Sequence, residues 1–294
     1  MIKHCVMSAA FVIMLIIMCF TAYGQDQPTL PSFYELSEYR FRYPETDTNI
    51  DMYIRSWRDS HQHVGHGGFL ERAIFTPGDP AKPSGVGEVL KYLKEYDHGV
   101  LNPGSKTRAT THEREQVIFY VTGGGAEVTA GGVTAGISEG SYVFVPAGLE
   151  YEFVNTSDEY LDVVIASEEI SEGFRPSGKM AVGNYRESVP DNGWQWAYDY
   201  YEIAGDAAFE NPVTCAVVTI DAFDISHPYV QREGTEELWY QIEGDSLMLL
   251  GTHLRKQDAG VACYVPPNGK IPHGNINPTQ KPMKWLYICN RHGK

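Results

Sequence analysis

Gln116-Val-Ile-Phe-Tyr-Val-Thr-Gly123, followed by Gly140-Ser-Tyr-Val-Phe-Val-Pro146-Ala-Gly148, is nearly repeated later in the chain. The second version reads Glu237-Leu-Trp-Tyr-Gln-Ile-Glu-Gly244, then Gly260-Val-Ala-Cys-Tyr-Val-Pro266-Pro-Asn-Gly269. The offset is about 121 residues for Gly123 and Gly244, about 120 for Pro146 and Pro266, and about 122 for Asn155 and Asn277. A period this long marks a duplicated domain, since solenoid units run to roughly 20–50 residues. Each copy alternates apolar and polar residues between turn signals. In the first copy the runs are 89–93, 99–101, 117–121, 126–129, 142–145, 151–154 and 161–166. Short runs at this spacing, with hardly any helical period, indicate an antiparallel sandwich or barrel. The fold expected is all-β, two tandem jelly-roll barrels in one chain.

The flanking segments complete the organisation. Lys3 and His4 precede an apolar run from Ala9 to Phe20, and Ala22-Tyr23-Gly24 supplies a small-x-small cleavage site. This order reads as a signal peptide over 1–24, with a mature chain beginning at Gln25 in the periplasm or outside the cell. Residues 25–87 are expected to form an N-terminal arm packed on the barrels. The first barrel is placed at 88–167, a Pro- and Gly-containing linker at 168–200, and the second barrel at 201–294. Cys215, Cys263 and Cys289 remain after cleavage, each inside an apolar run. Buried free thiols are the plain expectation, with one disulfide in the second domain as the alternative.

Composition narrows the partners. The 294 residues are 43% hydrophobic, with a formal net charge of −15 and a pI near 5.0. Nucleic acids and anionic membranes select Lys/Arg stripes, so neither is expected as a partner. A small-molecule ligand is compatible with this charge, and a homo-oligomer is left open. Phosphate loops, nucleophile elbows, zinc-protease helices and paired Cys-x-x-Cys are all missing from the sequence.

The repeated words resemble the two sequence motifs of the cupin superfamily, over about 190 residues from Glu88 to Asn277. The turn-forming members are kept: Gly104, Gly123, Gly140, Pro146, Gly148 and Asn155, with partners in the second copy. The resemblance implies a site inside each barrel, built from His-x-His, Glu and a later His. In the first copy these positions fall on Thr110, His112, Gln116 and Tyr151. They suit hydrogen bonding to a ligand better than metal binding, since a lone His and a neutral amide make a weak site for a divalent ion. In the second copy Glu237 and His273 are proper ligands. Counting back gives Tyr229-x-Gln231 for the His pair, with His227 just outside. A third ligand is therefore either His227, on the same strand parity, or Gln231. The family implies Mn, Fe, Ni or Zn for such a set. A metal there would polarise a substrate carbonyl or carboxylate, with Tyr229 or His227 as proton carrier. Isomerase, lyase and dioxygenase chemistry all stay open.

A third cluster lies outside the repeats: His61-Gln-His63-Val-Gly-His66-Gly-Gly68, then Glu71-Arg72. The glycines indicate a loop. His61 and His63 are candidates for presentation to a barrel mouth, and His66 and Arg72 are the preferred ligand contacts. Two functions follow from these features. One is an exported bicupin binding or transforming a small polar, sugar-acid-like molecule. The other is a non-enzymatic ligand-binding or structural cupin without metal. The missing His-x-His pairs favour the second, and Glu237 with His273 favours the first.

Overall fold

The computed structural model describes residues 48–191, 198–202, 210 and 213–292. The expected signal segment and residues 25–47 of the expected arm lie outside these residues. The strands are β1 (Ile54–Ser56), β2 (His61–Gly65), β3 (Phe69–Pro77), β4 (Glu88–Leu90), β5 (Leu93–Leu101), β6 (Glu115–Gly123), β7 (Gly125–Ala130), β8 (Val133–Ser138), β9 (Ser141–Val145), β10 (Tyr151–Val154) and β11 (Leu161–Glu169). After them come β12 (Ala181–Asn184), β13 (Tyr198–Glu202), β14 (Val213–Ile220), β15 (Tyr229–Val230), β16 (Thr235–Glu243), β17 (Ser246–Leu250), β18 (His253–Gln257), β19 (Val261–Val265), β20 (Pro272–Ile276) and β21 (Met283–Arg291). Helix is confined to single 3-10 turns among the described residues, one of them in the expected linker at Tyr185–Glu187.

The duplication is explicit in the topology. The first large sheet runs β12-β9-β6-β11-β5-β3-β2, with β4 added beside β3. The second runs β1-β19-β16-β21-β14-β13, in the same order of equivalent strands. Small sheets β10-β7-β8 and β15-β20-β17-β18 complete the two barrels. Both copies bulge at the same place, between Asp162 and Val163 and between Gln241 and Glu243. Asn155 and Asn277 close equivalent turns. Each amide nitrogen donates to backbone carbonyls, at Glu159 and Lys281 among others, and each Oδ1 accepts from Ser157 or Thr279.

Strand alternation sorts the side chains into two cores. Phe69, Val117, Phe119, Val121, Phe153, Val163 and Ile165 fill the first barrel. Their neighbours Ile118, Tyr120, Val164 and Ala166 point the other way, into one continuous cluster with Leu238, Tyr240, Val218 and Tyr264 of the second large sheet. The large sheets thus share an apolar layer. Cys215, Cys263 and Cys289 are buried and free.

The arm boundary needs correction. From Ile54 onward this segment supplies three strands, β1 to β3, to the sheets and is not a packed arm. β1 pairs with β19 of the second barrel, while β3 pairs with β5 of the first. The expected linker likewise gives β12 to the first barrel, where it pairs with β9. The reason is edge coverage: each added strand satisfies backbone groups that an open sheet edge would expose.

Candidate functional site

The second barrel gathers Tyr229, Gln231, Glu237 and His273. Tyr229 pairs directly with His273 across β15 and β20. The Glu237 carboxylate lies 2.8 Å from His273 Nε2, and both side chains are fully buried. Glu237 also accepts from Tyr287 OH at 2.7 Å, Gln231 Nε2 at 2.5 Å, Trp239 Nε1 at 3.3 Å and Tyr229 OH at 3.2 Å. Burial alone would raise its pKa; the charge of His273 and these donors outweigh burial and hold it below 4.5. His273 Nδ1 donates to Ile271 O at 3.0 Å, which fixes the ring.

This arrangement stops at two metal ligands. His227 is exposed and takes no part in the cluster. The parity argument fails because the ladder slips by one residue between Ile225↔Ile276 and Tyr229↔His273. A one-residue slip turns side chains to the opposite face. Gln231 is no third ligand either: its amide nitrogen goes to Glu237, and its amide oxygen accepts from Arg232 N at 3.0 Å. The remaining neighbours are phenol, amide and indole donors. The set fits a caged carboxylate rather than a metal centre. Tyr229 spends its hydroxyl on that carboxylate, so a role as proton carrier has no support in this geometry.

The first barrel corrects the register. Val117 pairs with Val145 as Glu237 pairs with Val265. Val117 is therefore the true counterpart of Glu237, and Gln116 is the counterpart of Glu236. Gln116 faces away from the barrel interior, where its amide donates to Glu168 at 2.6 Å. Glu168 in turn meets Asn290 and His292 of the second barrel. Gln116 is thus an inter-barrel residue and not a pocket residue. Thr110 turns its hydroxyl onto Arg108 O at 3.0 Å and does not join the interior. Arg72 lies on the other face of β3 from Glu71. It donates to Ser60 O and Gln62 Oε1 beside the Trp57 ring. His61 is exposed.

His112, Tyr151, His63 and His66 do come together, around carboxylates from β3 and β5. His112 Nε2 is 3.1 Å from Tyr151 OH, and its ring centre is 5.1 Å from that of His66. His66 Nδ1 meets Glu71 Oε1 at 2.8 Å, and its Nε2 is 3.0 Å from Glu95 Oε1. His63 Nε2 lies 3.2 Å from Glu71 Oε2 and 3.4 Å from Asp97 Oδ2. The β2–β3 turn places these groups. His66 itself has φ +44°, a left-handed conformation rarely held by a non-glycine residue away from functional or strained sites. At Gly65 a Cβ would collide with Glu71 Oε2, so only glycine leaves room for that carboxylate.

Electrostatics are strongly biased here. Burial and the charges of Glu95 and Glu71 push the Asp97 carboxyl up to about 8. Burial would lower His66, but its contacts with Glu71 and Glu95 prevail and raise it to about 10. Burial lowers His112, with help from His66. Perturbed titratable groups gathered in one cluster are a recognised mark of functional sites. Sequence reasoning missed Glu95 and Asp97 as site residues, and placed Glu71 only beside the histidine cluster, because none of the three belongs to a repeated motif. The available signal was Glu95-x-Asp97, two acids of one parity on the largely buried strand β5.

Comparison with known proteins agrees with this architecture. Residues 98–166 match the cupin domain family. An uncharacterized protein of Streptomyces coelicolor is 32% identical over 85 residues, covering 28% of this chain and 80% of that protein. A glyoxylate-induced protein from Pseudomonas aeruginosa superposes with a TM-score of 0.65 at 14% identity, over 82% of this chain and 89% of its own. A Bacillus subtilis oxalate decarboxylase with Mn(II) centres gives 0.64 at 16% identity, over 85% of this chain and 80% of its own. Matching strand order, shared bulges and these likenesses lead to one assignment: the chain belongs to the cupin superfamily, as a bicupin with degenerate metal-binding motifs.

Proposed function

We propose that this protein is an exported bicupin that binds or transforms a small polar molecule at the mouth of its first barrel. One observation carries this reading. His63 is 46% exposed, while the Glu71 and Asp97 it approaches are buried, and His112, beside His66 and Tyr151, is 27% exposed. The first barrel thus offers a polar cluster that solvent can reach. The Glu237–His273 pair in the second barrel is sealed, which suits a structural role. The fold relatives named for oxalate and glyoxylate support a small organic acid as the ligand class. A sugar acid presents the same carboxylate with added hydroxyls for His112 and Tyr151.

Calorimetric titration with oxalate, glyoxylate and galacturonate tests the proposal. At least one should bind, and His112→Ala should weaken it about tenfold or more. A loss of that size corresponds to roughly 1.4 kcal/mol. Failure of all three to bind, or binding indifferent to His112→Ala, would overturn it. Export rests on residues 1–24. Terminal sequencing of the secreted fraction should read from Gln25, and a mature form retaining Met1 would contradict that expectation.

A further inference from the structure

We propose that His63, Glu71 and Asp97 form a divalent metal site at the mouth of the first barrel, away from the motif positions. It deepens the reading above, because a cation would let so acidic a cluster accept a carboxylated ligand.

Three features carry the assignment. The first is spacing. Two ligands each about 2.1 Å from one ion, at angles between octahedral and tetrahedral, lie roughly 3.0–3.4 Å apart. His63 Nε2 is 3.2 Å from Glu71 Oε2 and 3.4 Å from Asp97 Oδ2. One ligand atom from each residue lies within 4.8 Å of the other two. The second feature is direction. Glu71 Oε2 lies at hydrogen-bond distance from His63, yet makes no hydrogen bond. Groups that bond to each other point at each other; groups that share an ion point at a third place.

The third feature is the unsatisfied carboxylates themselves. Asp97 is 1% exposed, and its Oδ1 has no hydrogen-bond partner. Glu71 is fully buried with Oε2 equally unsatisfied. Buried polar atoms without partners are uncommon and call for an ion, a water or strain as the cause. Here the unsatisfied Glu71 Oε2 and the second Asp97 oxygen, Oδ2, face one imidazole from a half-exposed strand, which also gives an entry path. His66 supplies an outer contact, holding Glu71 through Oε1 while Oε2 stays free for the ion. One imidazole and two carboxylates suit Mn2+ or Zn2+, with positions left for a ligand.

The full chain, stripped with chelator, is to be titrated with Mn2+ and separately with Zn2+ by calorimetry. Thermal melts and metal analysis run in parallel. We expect one ion per chain and a raised melting temperature. His63→Ala and Asp97→Asn should each weaken binding tenfold or more and abolish the thermal shift, whereas His227→Ala should change neither. His63 is half-exposed, so its removal leaves the barrel core intact and keeps the test valid if Asp97→Asn misfolds. No ion above background, or equal binding by the wild type and His63→Ala, would overturn the site. The two proposals separate cleanly. Ligand binding with no ion above background removes the metal and keeps the pocket; metal binding without any ligand does the reverse.

Discussion

Glu237→Ala is expected to cost about 3–5 kcal/mol of folding stability, the range for stranding one member of a buried ion pair. The pair is fully enclosed, so water cannot replace the lost carboxylate. Tyr287, Gln231, Tyr229 and Trp239 lose their shared acceptor in the same step. Trp239 stacks on Trp285 with centroids 5.3 Å apart, so its fluorescence reports the second barrel during urea unfolding. The pH dependence has a definite sign. Glu237 is held below 4.5 in the fold, so its contribution is present above 4.5. It is lost as the pH falls through the lower native value. Glu237→Gln, which cannot titrate, should flatten that acid limb. A variant within about 1 kcal/mol of wild type would show that the cage is dispensable.

The barrels were legible in the sequence because turns and alternation are local. Gly140, Pro146 and their counterparts end strands wherever they occur, and short apolar runs between them leave little choice but β. The register of one strand was not legible. Gly123, Gly124 and Gly125 follow one another, and sequence alone does not say which of them turns. The structure gives Gly124 φ +72°, matching Gly244 at +78°. Aligning Gly123 with Gly244 instead shifts β6 by one residue. With a period of two, that shift exchanges inside for outside, and Gln116 changes from pocket residue to interface residue. The carboxylates of the first barrel were hidden for another reason. Glu71 comes from β3, in a segment with no repeat partner in the sequence. It meets Asp97 only because β3 pairs beside β5. Long-range pairing brings these acids together, and no local pattern encodes it. The second barrel's pair was found, yet its closure by four donors required knowing that Tyr287 and Trp239 share its face.

Glu236→Ala should be about as damaging, through the junction of the two barrels. Glu236 is the outward neighbour of Glu237 and is fully buried. It accepts from three successive backbone N–H groups of the first barrel: Lys91 at 2.8 Å, Tyr92 at 3.3 Å and Leu93 at 3.0 Å. Tyr264 OH adds a fourth bond at 2.9 Å. Successive N–H groups converging on one point form an anion-binding concavity, which a carboxylate fills and an amide fills poorly. Burial raises the Glu236 carboxyl even so, because the four donors only partly offset the loss of water. Each buried donor left without an acceptor costs about 1–3 kcal/mol, so the alanine variant should lose more than about 3 kcal/mol. Glu236→Gln should recover only part of this, since its NH2 meets donors and not acceptors. Scanning calorimetry of the wild type and both variants is the measurement. The loss should appear as a lowered melting temperature with weaker coupling between the barrels, and a variant melting like wild type would mean that the apolar layer alone joins them.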